Sequence, residues 1–253
     1  MYPVSEEFQQ AIDHHTRVYS FHGELITETN TYVFRDEDMV KGSGYITRQC
    51  CGSSELELGS VYASELCITL YSEVDRYTLD GATIQLFFHL VLADGREEVI
   101  PMGIFEVSEA NRHRKTIELI AYDYMLRFDK TLLLTSSSGT AYDFLEHICV
   151  ECGVELAQTR EEIEGLPNGR ELLGIYSEND MECYRDLLYY VAQVLGCICQ
   201  INRVGKLELL SFTNVPVAEI SSELRFSSNY SDFETRYTAV SSTNLITETE
   251  EYY

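Results

Sequence analysis

Apolar residues change their spacing along this chain, and each change marks a different kind of element. Between Ser5 and His14, Phe8, Ala11 and Ile12 fall three and four apart, which predicts a short amphipathic helix capped by Ser5, an N-terminal arm. From Arg17 the period drops to two. Val18, Ser20, His22 and Glu24 alternate against Tyr19, Phe21, Gly23 and Leu25, and Thr29-Asn30 predicts a turn. Gly42-Ser43-Gly44 reads as a loop leading into a strand at Tyr45 to Gln49, and Leu66, Ile68 and Leu70 line one face of a half-buried strand from Glu65 to Tyr71. Ile84, Leu86, Phe88, Leu90 and Leu92 make an unbroken apolar face. Asp94-Gly95 supplies a two-residue turn, and Arg96 to Ile100 returns. Ile104 to Val107 and the alternating Ile117, Leu119 and Ala121 predict an antiparallel pair around a polar, basic turn at Asn111 to Lys115. Residues from roughly Val18 to Asp123 therefore predict one antiparallel sheet, curled into a barrel or a sandwich. Phe87 and Val91 make its second face partly apolar, which implies burial on both sides or packing on a neighbouring subunit.

After Tyr122-Asp123 the spacing becomes helical again. Tyr124, Met125 and Phe128 fit a single turn that ends the sheet and opens a second domain. Ala141, Phe144, Leu145, Ile148, Cys149 and Cys152 then form a buried stripe, with Thr140-x-x-Asp143 as a capping box and Gly153 as the stop. Beyond a polar connection, Gln158 to Gly174, Asn179-x-x-Glu182 is expected to open another helix. Tyr184, Leu187, Leu188, Val191 and Leu195 line its stripe, and Gly196 ends it. Cys197 to Ile201, a turn at Asn202 to Gly205, and Lys206 to Phe212 predict a hairpin. The tail from Val215 is rich in Ser, Thr and Asn. Arg225-Phe226, Tyr237 and Val240 read there as edge-like strands, and Glu248 to Tyr253 as the opening of a third domain or as a frayed terminus. The resulting partition is 1–130, 131–214 and 215–253 in an α+β chain.

The 253 residues suffice for a sizeable core, and no run of about 18 apolar residues predicts a membrane span. MYPVSEEFQQAIDHH lacks the order of a secretory signal, so synthesis and folding in a cytoplasm are expected. The net charge of −24 argues against grip on a phosphate backbone, while acidic walls suit either solubility or a pore through which DNA slides. Reduced core packing is expected for the eight cysteines.

Chemistry-bearing patterns are sparse. Asp36-Glu37-Asp38 suggests a calcium loop, but Val40 and Lys41 stand where such a loop needs an oxygen ligand and a glycine. Cys149-x-x-Cys152 and Cys197-x-Cys199 have the spacing of two half zinc sites, yet the stripe and the strand alternation explain both pairs by packing. His14, His15, His22, His89, His113 and His147 show no metalloprotease spacing, and Glu161-Glu162-x-Glu164 reads as a solvated face. No catalytic, cofactor-binding or metal-ligating residue is assigned. Grouped tyrosines, Tyr122, Tyr124, Tyr189, Tyr190, Tyr252 and Tyr253, suit surfaces buried in an assembly.

Four stretches together resemble the N-terminal part of baseplate hub proteins of phage and prophage tails, including the hub-like domain of tail-tip proteins. They are Gly42-Ser43-Gly44-Tyr45-Ile46, Leu58 to Leu66, Ile100 to Val107 and Ala121 to Met125. Tyr184-Arg185-Asp186-Leu187-Leu188 and Gly205-Lys206-Leu207-Glu208 look like that family's inserted helical module and hairpin. The resemblance implies a tail-tube-like β-barrel, an inserted helix-helix-hairpin module and the start of a second barrel. It implies a trimer that matches a six-fold tube, with tail tube or distal tail protein above and spike, fibre or lysin module below. DNA and the tape-measure protein would pass through the channel, and the protein would reside in the virion tail. The alternatives are a tail-associated cell-wall hydrolase and a carbohydrate-binding adhesion module.

Overall fold

The computed structural model describes residues 2–52, 57–133, 137–175, 181–212, 241–244 and 249–252, the last two segments as backbone alone. It divides into residues 1–212 and residues 213–253. In the first unit, seven antiparallel strands pair in the order β2-β1-β5-β6-β7-β4-β3. These are β1 (Tyr19–Ile26), β2 (Thr31–Arg35), β3 (Tyr45–Thr47), β4 (Glu65–Tyr71), β5 (Thr83–Val91), β6 (Glu97–His113) and β7 (Thr116–Tyr122).

Register explains which side chains enter the core, because directly opposed residues share a face. Leu25 opposes Ile84, which opposes Phe105, and Val107 opposes Ala121, which opposes Leu66. Each of these is buried, and with Phe34, Ile68, Leu70, Leu86, Ile117 and Leu119 they form one cluster. Gly23 is also inward, and its missing Cβ makes room for the Phe34 ring, whose Cζ fills the place where that atom would be. One face of the curled sheet thus wraps a single core. Met39 bridges to Leu70 between the two end strands, but β2 and β3 do not pair, so among the described residues the sheet is an open curl without barrel closure.

The long strand β6 corrects the expectation of separate short runs. Glu97 to Ile100 and Ile104 to Val107 belong to one strand that passes through Pro101, and it continues to His113, so the turn narrows to Arg114-Lys115. Two register shifts make this possible, one opposite Leu86/Phe87 and one between Val107 and Glu109. Each bulge bends the strand and tightens its twist, which curls the sheet. The first leaves the Met102 carbonyl to accept from Arg48 Nη2 at 2.9 Å.

The remainder of this unit packs around a second cluster. Helix α2 (Ala141–Cys152) starts at the Thr140/Asp143 capping box and ends at Gly153 with φ 64°, both as expected. Inside the polar connection, α3 (Arg160–Glu164) has its own Thr159/Glu162 box and buries Ile163. Helix α4 (Tyr184–Val194) begins at Cys183 rather than at the expected Asn179, which lies outside the described residues. The Asp186 carboxylate accepts there from the Glu182 and Cys183 N–H groups at 2.9 and 3.0 Å. The pairs β8 (Ser138–Gly139) with β9 (Leu173–Gly174), and β10 (Cys197–Ile201) with β11 (Leu207–Ser211), complete it. In residues 213–253, β12 (Ser241–Asn244) pairs antiparallel with β13 (Thr249–Tyr252); Arg225, Phe226, Tyr237 and Val240 lie outside the described residues.

Candidate interaction surfaces

Asp123 sits where the sheet meets the helical cluster. It is 4% exposed, caps the 3₁₀ helix Tyr124–Asp129, and accepts from the Met125 N–H at 3.0 Å and the Ser64 N–H at 2.9 Å. Burial pushes its carboxyl above the ordinary range, and these hydrogen bonds oppose that rise. A second fastening lies beside it. The Gly59 N–H donates to the Cys197 carbonyl at 2.7 Å, and the Cys199 N–H donates to the Ser60 carbonyl at 2.9 Å, so the segment before β4 lines up against β10. Arg127 provides a third, pairing with Glu106 at 2.6 Å and lying 3.9 Å over the Tyr124 ring.

The arm helix α1 (Glu6–Asp13) is capped by Ser5, as expected, and Ser5 also donates its N–H to Glu98 on β6 at 3.0 Å. Phe8 meets Phe88 edge-on at 6.2 Å, and Phe88 meets Phe21 and Tyr19. Phe88 opposes Phe21, on the same face as Leu86, so the arm covers one end of the sheet's concave side.

The convex face carries a pair of histidines that no local pattern announces. His22 on β1 opposes Phe87 and stacks on it at 4.7 Å and 9°. Its Nδ1 shares a hydrogen bond with His89 Nε2, and His89 Nδ1 faces Glu97 Oε2 at 3.2 Å. Burial and then the neighbouring His89 hold His22 below its ordinary pKa. The two histidines are 67 positions apart, so only the β1–β5 register reveals them.

The other candidate groups resolve into structural parts. Asp36 accepts from the Phe21 N–H at 2.9 Å and Asp38 from the Arg35 N–H at 2.9 Å. Ser43 accepts from the Thr69 N–H at 3.1 Å and pins its glycine loop to β4. Glu162 caps α3, and Glu164 lies 3.8 Å from Arg160 and 3.9 Å from Arg170. Cys149, Cys152, Cys197 and Cys199 all lie in the helical core. Burial pushes Cys149 up to about 12 and Cys152 up to about 11, so these thiols stay protonated at neutral pH. Among the described residues no group of His, Cys, Asp or Glu is arranged to hold a metal ion, and no helix is long and apolar enough to cross a membrane.

The two ends of the sheet differ in charge. At the β6–β7 end, Arg76, Arg112, Arg114 and Lys115 line a cavity of about 650 Å³ together with Ser72, Glu73, Asp75 and Tyr77. At the β5–β6 end lie Glu7, Asp36, Glu37, Asp94 and Glu97, interspersed with Arg17, Arg35 and Arg96.

No protein-family model matches the chain, and no curated protein matches it. Among solved structures it is similar to the 43 kDa tail protein of prophage MuSo2 from Shewanella oneidensis, at 13% identity and TM-score 0.46 over 74% of this chain and 53% of that one. A gene transfer agent virion contains a chain similar to it at 10% identity and TM-score 0.36, over 51% of this chain and 48% of that one. The lidded Francisella PdpA-VgrG complex contains another at 8% identity and TM-score 0.47, over 91% and 34%. The chain spans 34% to 53% of the length of these chains. The similarity to phage and prophage tail proteins is distant and partial.

Proposed function

We propose that the chain is a structural, non-enzymatic part of a phage or prophage tail, the hub that joins a six-fold tube to a trimeric tip. The observation that carries this reading is a curled antiparallel sheet whose two end strands have no partner on their outer edges among the described residues. Both present apolar side chains to solvent, Val33 on β2 at 59% exposure and Tyr45 on β3 at 53%. Unpaired strand edges are templates for pairing with another chain, and proteins that stay monomeric blunt them. In a ring, β2 of one copy meets β3 of the next. On this reading residues 1–130 are the ring segment, 131–214 the inserted module and 215–253 the beginning of a second ring segment. The partners are further copies, the tube or distal tail protein, and a spike, fibre or lysin module. The acidic surface lets DNA and the tape-measure protein pass without sticking.

Light scattering of the purified chain tests the reading. A trimer or larger closed ring is expected, and Val33→Lys with Tyr45→Lys is expected to abolish it. A wild-type mass equal to one chain overturns lateral assembly. Clearing of purified cell wall in a zymogram replaces the hub with a hydrolase, and binding on a glycan array replaces it with an adhesion module.

A further inference from the structure

The opposed charges at the two ends of the sheet form a contact of their own, separate from the strand edges. In a chain with 18 Lys and Arg against 42 Asp and Glu, cations are scarce and are expected to be neutralised by neighbouring acids. Among the described residues, none of Arg76, Arg112, Arg114 and Lys115 belongs to an ion pair within 4.0 Å, although Glu73 and Asp75 line the same cavity. Arg112 is occupied in holding the Ser72 and Val74 carbonyls, which fixes the rim. The other three are exposed.

Two further features mark this rim as a contact surface. Arg114 has φ 57°, a left-handed conformation that turns ordinarily give to glycine, so a long cationic side chain occupies the tip at a conformational cost. Tyr77 is 77% exposed and is held by Arg76, whose guanidinium lies 4.7 Å over the ring and donates to its hydroxyl at 2.7 Å. Exposed tyrosine beside arginine is the composition of protein interface centres. The overall charge of −24 weighs against a nucleic-acid partner.

We infer that the β6–β7 rim of one copy docks end-on against the acidic β5–β6 rim of a second copy. The complementary charge lies on the same chain, where Glu7 and Glu37 are exposed and, among the described residues, engage in no side-chain hydrogen bond or ion pair that such docking must break. Two different surfaces meet in this contact, so it is heterologous and propagates along an axis unless rotation closes it. The inference goes beyond the tail reading and does not rest on it.

Two charge-reversed variants test it by mixing. Arg114→Glu with Lys115→Glu leaves an intact acidic rim, and Glu7→Lys with Glu37→Lys leaves an intact basic rim. Sedimentation velocity of wild type should show end-on association, weakened roughly tenfold or more in either variant alone. An equimolar mixture should regain a species that contains both variants, because the intact rim of each meets the intact rim of the other. Arg114→Lys with Lys115→Arg should associate like wild type, which separates charge from folding. A lateral oligomer present equally in every sample belongs to strand-edge assembly and is subtracted. Wild type lacking end-on association, variants that associate like wild type, or a mixture without a new species overturns the inference. So does a duplex-DNA mobility shift lost in the Arg114→Glu, Lys115→Glu variant, which assigns the rim to nucleic acid.

Discussion

Asp123 shows how one side chain can serve two elements. Its carboxylate ends the sheet by accepting from Ser64 and starts the 3₁₀ helix by accepting from Met125. Alanine there leaves two N–H groups unpaired in a buried place, at a cost of about 1–3 kcal/mol each before relaxation. Asp123→Ala is expected to lower stability by roughly 2–4 kcal/mol in urea unfolding. A loss within experimental error shows that water replaces the carboxylate. His22 makes the opposite kind of contribution. Its pKa is lowered in the fold, so the unfolded chain binds the proton more readily once the pH drops below about 6.5. Stability is therefore retained above that value and lost as the pH falls through it toward the folded pKa. The fall in thermal midpoint on acidification should be shallower in His22→Gln than in wild type, and parallel curves remove His22 as the cause.

At the scale of elements, the junction between sheet and helical cluster depends on close backbone approach. Gly59 has φ 85°, and a Cβ there would lie 2.6 Å from the Tyr189 carbonyl oxygen on α4. Gly59→Ala therefore strains the turn and displaces α4, with an expected loss of about 2 kcal/mol or more. If calorimetry finds an unchanged midpoint, the segment before β4 does not clamp β10. Little of this joint is legible in the sequence. The stripe of α2, its capping box and the Gly153 stop are local patterns, and they identify that helix almost to the residue. Strand β6 is harder, because Pro101 and Gly103 read as breaks and only pairing with β5 carries the chain through them. Helix α4 opens at Cys183, a residue that statistics do not favour as a cap, and the expected Asn179 lies outside the described residues. His22 and His89, and the separation of acidic from basic rims, depend on register between distant strands and have no local signature.

For the whole molecule, the dominant long-range term is self-repulsion. A net charge of −24 disfavours any compact state, because folding brings the acids closer together than in the unfolded chain. Favourable pairs act against it at short range. Arg127 with Glu106 and Arg185 with Asp129 are at 2.6 and 2.8 Å, and each has a partly buried arginine. Salt distinguishes the two contributions, since at 0.1 M ionic strength the screening length is about 10 Å and partly buried pairs are screened less than exposed charges far apart. Adding sodium chloride at pH 7 should therefore raise the thermal midpoint of the unassembled chain, steeply at first and then levelling off. The Val33→Lys, Tyr45→Lys variant with Arg114→Glu and Lys115→Glu added serves for this measurement, because either kind of assembly would add its own salt dependence. A midpoint that falls with added salt means that short-range pairs outweigh repulsion.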